Sequence, residues 1–278
     1  MSLPGRRIAV NGIQLHVVDE GPRTGPPVFL LHGFPDSSSL WRNQIPALVK
    51  AGYRVIAPDL RGFGESDKPE AVDAYALPVL MGDALGVLDA LAIPRAHVVC
   101  HDWGAALGWG LAMFTPDRVD RLVALSVGHF GAFGSAGLEQ REKSWYMLFF
   151  QYEGIAEEAL RADDWAFFRE WTRHHPELPT WIADLSRPGA LTAALNWYRA
   201  NANPARPGIG GVDFPPVKAP TLGIWSTRDH YLVEAQMVAT KAFIQGEWRY
   251  ERIDATHWMQ VDEPARVTEL VLDWLGRR

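Results

Sequence analysis

Short apolar runs and longer stretches of helical periodicity alternate along most of the chain. Each apolar run is bounded by turn-forming residues and has the length of a strand, so these runs are predicted to be strands. The predicted strands are 7–10, 13–18, 27–31, 53–58, 97–100, 121–127, 221–225 and 248–253. Helices are predicted over 41–49 and 77–91, and a last amphipathic helix covers 264–275. Strands that alternate with helices predict crossover units and therefore a mostly parallel sheet in an α/β fold.

The middle of the chain breaks this alternation. Residues 128–216 contain no clean strand pattern, and aromatic residues crowd a sequence of helical character. The segment ends in a stretch rich in proline and glycine, 203–211, which is typical of a loop that returns to the main body. The pattern therefore predicts an α/β core formed by 1–130 and 216–278, with a helical insertion at 131–215.

Composition narrows the class of protein further. The 278 residues carry 27 basic and 33 acidic side chains, a net charge of −6, which argues against nucleic acid as a partner. The one cysteine, Cys100, excludes an intrachain disulfide and a cysteine-rich zinc site. No apolar run of about 18 residues indicates a membrane span, and no signal peptide is recognised, so a cytoplasmic protein is expected. His174-His175 is expected to be an exposed polar pair, and no metal or cofactor is predicted.

The most informative site is Cys100-His101-Asp102-Trp103-Gly104, where a predicted strand runs directly into a predicted helix. Small residues around Asp102 permit a sharp turn, which would push its side chain out at the end of the sheet. This is the arrangement of a nucleophile elbow, with aspartate in place of the serine of esterases. The alternative is that Asp102 only caps the following helix, a position that aspartate often occupies.

An aspartate nucleophile implies a particular chemistry. Aspartate is ionised at neutral pH and attacks without the help of a base, so it suits displacement at a saturated carbon. The product of that attack is an alkyl ester on the enzyme, which a second step must hydrolyse. Hydrolysis needs a base to activate water, an acid to orient the base, and hydrogen-bond donors for the ester oxyanion.

Candidates for these parts follow other predicted strands. His257, on the loop before the last helix, is the candidate base, and Asp229 is the candidate acid that orients it. The alternatives to these catalytic roles are that His257 is a structural histidine and that Asp229 only forms a turn. The backbone N–H groups of Phe34 and Trp103 are the candidate oxyanion donors. The turn at Phe34-Pro35 is tight, and a cis peptide bond is expected there.

Several short motifs occur in a characteristic order along the chain. They are His32-Gly33-Phe34-Pro35, the loop 59–66, His101-Asp102-Trp103-Gly104-Ala105, the loops around Asp229 and His257, and two tyrosine motifs at 146–151 and 195–199. This set resembles the epoxide hydrolases of the α/β-hydrolase superfamily, over nearly the whole chain. The resemblance implies an α/β-hydrolase fold with a mostly parallel, eight-stranded sheet, flanking helices and an inserted helical cap. It also implies that Tyr146 and Tyr198 assist ring opening. Cys100 departs from the family, in which glycine is more frequent at that position.

Two tyrosines also make chemical sense at such a site. Opening an epoxide produces an alkoxide, which leaves readily only if it gains a proton or strong hydrogen bonds, and a phenol supplies either. The alternative for Tyr146 and Tyr198 is simple packing within the aromatic segment. The prediction is therefore a hydrolase that converts a small apolar epoxide and water to a vicinal diol, with Trp103 and Phe34 also contacting the substrate.

Two other functions remain as alternatives. A haloalkane dehalogenase shares the aspartate nucleophile, the histidine base and Trp103, but it gives the two tyrosines no role. A non-catalytic ligand-binding protein on the same scaffold would be expected to lack a catalytic residue, whereas this sequence retains a candidate for each.

Overall fold

The apolar runs form an eight-stranded sheet in the computed structural model, which describes residues 3–202 and 214–277. The strands are β1 Arg6–Val10, β2 Ile13–Glu20, β3 Pro27–Leu31, β4 Arg54–Pro58, β5 Ala96–His101, β6 Val119–Leu125, β7 Thr221–Ser226 and β8 Trp248–Ile253. Their order in the sheet is β1-β2-β4-β3-β5-β6-β7-β8. Strand β2 is antiparallel to both of its neighbours, and the remaining pairs are parallel. The loops that follow β3, β5, β7 and β8 therefore meet at one edge, where α/β folds place their sites.

Helices cover the sheet and fill the gap between β6 and β7. They are α1 Gln44–Lys50, α2 Leu77–Ala90, α3 Trp103–Phe114, α4 Phe130–Gly134, α5 Gly137–Lys143, α6 Trp145–Phe149, α7 Ile155–Trp171, α8 Leu178–Leu185, α9 Ala190–Asn201, α10 Glu234–Ala239, α11 Met259–Asp262 and α12 Pro264–Leu275. Non-helical residues interrupt α7 at 162–165, so this helix is two pieces joined by a kink. In the parts of the chain described, no helix has the length and apolar character that crossing a bilayer requires.

The elements predicted from the sequence are confirmed, with small changes at their ends. Every predicted strand is present, and its bounds shift by at most two residues. The closing helix has the predicted bounds, 264–275. The helix predicted from residue 41 begins instead at Gln44, because the preceding residues Ser38–Trp41 form a tighter 3-10 turn. The predicted proline- and glycine-rich loop 203–211 lies outside the described residues.

The segment between β6 and β7 is helical, as its aromatic pattern predicted, and Phe130–Asn201 is called the helical insertion below. Half of its large aromatic side chains are buried and most of the others are half-buried, and two of the buried ones donate hydrogen bonds to the core. The indole of Trp197 donates to the backbone oxygen of Arg61 at 2.9 Å, and that of Trp181 donates to Asp36 Oδ1 at 2.8 Å. Burial of the rings together with these bonds fixes the helical insertion over the sheet edge.

Helix α3 packs so closely on the end of β3 that one glycine is required at its start. A Cβ atom on Gly104 would collide with the backbone oxygens of Leu31 and His32, which cannot move without distorting β3. We expect Gly104→Ala to lower the free energy of unfolding by about 2 kcal/mol or more, measured by denaturant titration. The matched control is Gly134→Ala, where a Cβ atom meets nothing within 4 Å. Equal stability of the two variants would contradict the close packing.

Candidate active site

The turn between β5 and α3 carries Asp102 in an uncommon backbone conformation. Asp102 has φ +54° and ψ −122°, and it is the one residue between the end of β5 at His101 and the start of α3 at Trp103. Side chains rarely occupy positive φ, and aspartate is among those that tolerate it best. The neighbouring turn after β3 passes so close that a Cβ atom on Gly33 would overlap the Asp102 carboxylate. The strained turn therefore presents Asp102 as a nucleophile elbow does.

Backbone donors from both turns surround the Asp102 carboxylate. The N–H of Phe34 donates to Asp102 Oδ1 at 2.7 Å, and the backbone N–H of Trp103 also hydrogen bonds to the carboxylate. The Phe34-Pro35 peptide bond is cis, as the sequence predicted. Burial raises the pKa of Asp102, but its hydrogen bond with His257, the positive charge of that ring and the hydrogen bond from the Trp103 N–H together hold the pKa below its usual value. Asp102 is therefore ionised at neutral pH.

His257 follows β8 and lies between two carboxylates. Its Nδ1 is 2.7 Å from Asp229 Oδ2, and its Nε2 is 3.6 Å from Asp102 Oδ2. Burial would lower the pKa of His257, but the charge of Asp229 and hydrogen bonds with both carboxylates raise it to about 10. In the free protein the imidazole ring is therefore protonated at neutral pH, and its Nε2 points toward the proposed nucleophile.

Asp229 is held so that one oxygen is directed at the histidine. Its Oδ1 accepts the backbone N–H groups of Tyr231 and Leu232 at 2.8 and 3.0 Å, which leaves Oδ2 for His257. The side chain is buried, so its pairing with the ring is shielded from water. This geometry is that of an orienting acid, the role expected for Asp229 from its place after β7.

His101 contributes to the site through the backbone, which the sequence did not reveal. Its Nε2 is 2.8 Å from the carbonyl oxygen of His257, and the hydroxyl of Ser126 is 3.3 Å from the same oxygen. Burial lowers the pKa of His101 to about 3, so the ring is neutral and donates this hydrogen bond. His101 and Ser126 end neighbouring strands, and only the assembled sheet brings them to the His257 loop.

Tyr146 of α6 and Tyr198 of α9 face the same cavity as Asp102. Their ring centroids are 5.9 Å apart, and the Tyr198 ring is 5.0 Å from the Trp103 ring. Both side chains are buried. Burial, and after it the charge of Asp102, raises the pKa of each phenol well above its usual value. Both tyrosines therefore keep their protons at neutral pH and are available as donors.

The cavity has a volume of about 240 Å³ and an almost entirely apolar wall. Its lining residues are Leu77, Asp102, Trp103, Ala106, Phe114, Val127, Phe130, Phe133, Tyr146, Met147, Tyr198, Asn201, Ala202, Phe214 and Leu232. Among these described residues Asp102 is the one charged side chain. Phe34, whose ring was predicted to contact substrate, is not among them, because that ring packs into an aromatic cluster with Phe150 and Trp171. Only the backbone of Phe34 faces Asp102.

Comparison with known proteins decides the family. A model described as the alpha/beta hydrolase fold matches residues 26–264. Epoxide hydrolase A of Mycobacterium tuberculosis is 34% identical over 99% of this chain and 98% of its own length. The chain belongs to the epoxide hydrolase family. A superfamily protein of Bacillus subtilis, YfhM, is 36% identical over 96% of both chains.

Solved structures of the epoxide hydrolase family agree with this assignment. An epoxide hydrolase from metagenomes of hot environments has a TM-score of 0.88 and 30% identity, over 99% of both chains. Epoxide hydrolase A from Mycobacterium thermoresistibile has a TM-score of 0.79 and 30% identity, over 98% of both chains. The α/β-hydrolase fold expected from the sequence motifs is thereby confirmed. Over residues 3–202 and 214–277 no group of three histidine, cysteine or carboxylate side chains is arranged to hold a metal ion.

The pKa of His257 tests the electrostatics of the site directly. The charge of Asp229 is the largest cause that raises this pKa, so Asp229→Asn is expected to lower the pKa of His257 by more than one unit from about 10. The measurement is an NMR titration of the His257 ring protons between pH 5 and 11. Asp254→Asn serves as the control, because Asp254 is exposed and pairs with Arg228 on the same side of the sheet. An unchanged titration of His257 in Asp229→Asn would remove Asp229 as its charge partner.

Proposed function

We propose that this protein hydrolyses apolar epoxides to vicinal diols through a covalent ester on Asp102. One observation carries the proposal: an ionised carboxylate and two protonated phenols, those of Tyr146 and Tyr198, face one another across an apolar cavity. A nucleophile on one side and acids on the other suit a strained ring that must be attacked at carbon and protonated at oxygen.

In the first step Asp102 Oδ2 attacks one carbon of the epoxide. The bond between that carbon and the ring oxygen breaks, and the ring oxygen takes a proton or a strong hydrogen bond from Tyr146 and Tyr198. Oδ1 keeps its hydrogen bond from the Phe34 N–H, and the Trp103 N–H also holds the carboxylate during the attack. The product is an alkyl ester of Asp102 that carries the new hydroxyl group.

Esterification of Asp102 removes the charge that helps to keep His257 protonated, and the proton that His257 gives up replaces the one that the phenols passed to the ring oxygen. In the second step the neutral His257 ring removes a proton from water, and the resulting hydroxide attacks Cγ of Asp102. Oδ1 then carries the oxyanion charge, and the N–H groups of Phe34 and Trp103 lie where that charge develops. The bond between Cγ and the product oxygen breaks, and His257 returns the proton to that oxygen. The proton left on the new carboxyl group of Asp102 then passes to His257, which restores the carboxylate and the imidazolium of the free protein. Asp102 keeps one oxygen atom of the water. Neither step calls for a cofactor.

The wall of the cavity supports an apolar substrate. Trp103 and the phenylalanines of the lining offer ring surface. The amide nitrogen of Asn201 donates to the backbone oxygens of Tyr75 and Trp197 and is therefore already paired. An alkyl or aryl group on the epoxide would replace water against these side chains without leaving a polar group unpaired. A negatively charged group on the substrate would find no Lys or Arg side chain among the described lining residues.

The alternatives explain less of the site. A haloalkane dehalogenase would leave Tyr146 and Tyr198 without a role, and three of the four similar proteins reported above are named epoxide hydrolases. A non-catalytic binding protein would need neither the Asp229 and His257 pair nor the strained turn at Asp102. We also propose that 131–215 acts as a cap domain on the core of 1–130 and 216–278. The cytoplasmic location expected from the sequence stays a prediction.

The two tyrosines are expected to substitute for each other in part. Tyr146→Phe and Tyr198→Phe should each retain measurable ring opening, because the other phenol still donates. The double variant should lose about 100-fold or more in the rate of ester formation, the range of a general acid. Stopped-flow measurement of tryptophan fluorescence or rapid-quench mass spectrometry gives this rate. Tyr152→Phe is the control, because Tyr152 is 61% exposed. A double variant that forms ester at the wild-type rate would reduce both residues to packing.

Removal of the base separates the two steps. His257→Gln should open the epoxide once and then keep the product on the enzyme, because Asp102 attacks without a base whereas water does not. Intact-protein mass spectrometry with styrene oxide should show an added mass equal to one epoxide, and peptide mapping should place it on Asp102. Asp102→Asn is the matched control and should stay unlabelled. Normal turnover by His257→Gln would refute the two-step scheme.

A further inference from the structure

His175 is buried, which corrects the sequence prediction of an exposed His174-His175 pair. His174 is exposed, but His175 has only 6% of its surface accessible and its Nε2 is 3.0 Å from Asp262 Oδ1. The residues before it turn the chain inward, since Arg173 and His174 have φ values of +55° and +51°. The N–H of Glu177 donates to His175 Nδ1 at 3.2 Å. Nε2 therefore carries the ring proton and donates a hydrogen bond to Asp262.

Asp262 also hydrogen bonds to the loop that carries His257. Its second oxygen, Oδ2, accepts both the backbone N–H of Thr256 at 2.8 Å and the Thr256 hydroxyl at 2.6 Å. Thr256 immediately precedes His257 in the chain. The Asp262 carboxylate therefore connects His175 of the helical insertion to the backbone of the residue next to the proposed base.

The residue on the other side of His257 is also held by the helical insertion. The ring of Trp258 lies 4.4 Å from the ring of Trp181 and 5.0 Å from that of His175. His175 in turn stacks on Trp181, with ring centroids 4.9 Å apart and planes at 21°. Thr256 is thus linked to His175 through Asp262, and Trp258 packs on both His175 and Trp181.

We propose that the hydrogen bond between His175 and Asp262 positions His257 for ester hydrolysis and has no part in ring opening. The inference rests on the proposed two-step function. His257 must direct Nε2 at a water molecule within a narrow range of distance and angle, whereas Asp102 attacks without it. A small displacement of the 256–258 loop should therefore slow the second step alone. His175 and Asp262 are positioning residues, because neither lines the substrate cavity.

A second contact between helical insertion and core provides a matched control. Glu177 lies two residues from His175, and its carboxylate pairs with Arg42 at 2.7 Å. This ion pair ties the same turn to the core but does not reach the loop of His257. Loss of the ion pair between Glu177 and Arg42 shows the effect of weaker attachment of the helical insertion in general. Loss of the His175 hydrogen bond shows the effect of a displaced His257.

The test uses His175→Phe, which keeps a stacking ring, and Asp262→Asn, which keeps the side-chain size. Single-turnover reactions with styrene oxide, quenched and read by intact-protein mass spectrometry, give the rates of ester formation and decay. We expect decay to slow about 10- to 100-fold in both variants, the cost of a slightly misplaced catalytic group, while ester formation keeps its wild-type rate. In steady state kcat and KM should fall together, because more enzyme is held as ester. The amplitude of ester formation counts folded sites and corrects for any unfolded protein.

Glu177→Gln should leave both rates at wild-type values. The proposal is overturned if ester decay in His175→Phe and Asp262→Asn stays at the wild-type rate, if formation slows as much as decay, or if Glu177→Gln slows decay equally. The proposed function fails in a different way, by the absence of any ester in His257→Gln. The two failures are therefore distinguishable in one set of measurements.

Discussion

The close approach of two backbone turns is the constraint on which the rest of the site depends. The turn after β3 and the turn after β5 touch at Gly33 and Asp102, where a side chain on Gly33 has no space. This contact brings the N–H of Phe34 within 2.7 Å of the Asp102 carboxylate. The strained φ of Asp102 is held by that packing, and in the proposed mechanism the same packing supplies the donors for the oxyanion that forms when the ester is hydrolysed. The atoms that pack the two turns together are thus the same atoms that would take part in the proposed reaction.

The core of the site could be predicted because the chain pattern marks it. Asp102, Asp229 and His257 each follow a strand at the carboxyl edge of a parallel sheet, and their residue types leave few chemical roles. The ring of Phe34 was predicted less well, because its direction depends on how the helical insertion packs rather than on its own motif. Motifs fix the backbone of a turn more closely than the direction of its side chains.

His175 and Asp262 were missed for a physical reason. They are 87 residues apart in sequence, and neither lies in a pattern typical of catalysis. His175 looked like one of two adjacent polar residues on a helical segment, and only two left-handed residues before it turn it inward. Contacts of this kind arise when the helical insertion lies on the core. They carry no local signal, since each partner would be ordinary without the other.

In the proposed mechanism the charge of Asp102 also sets the order of the two steps. While Asp102 is a carboxylate, His257 has a pKa of about 10 and holds a proton, so it has no lone pair with which to accept one from water. Esterification of Asp102 removes the negative charge and the hydrogen bond that favour the imidazolium form, while burial and Asp229 remain. His257 then loses one proton, and the opened epoxide oxygen gains one, so the total number of protons at the site does not change. In the proposed mechanism the free enzyme therefore does not activate water, and His257 becomes a base only after the substrate is bound to Asp102 as an ester.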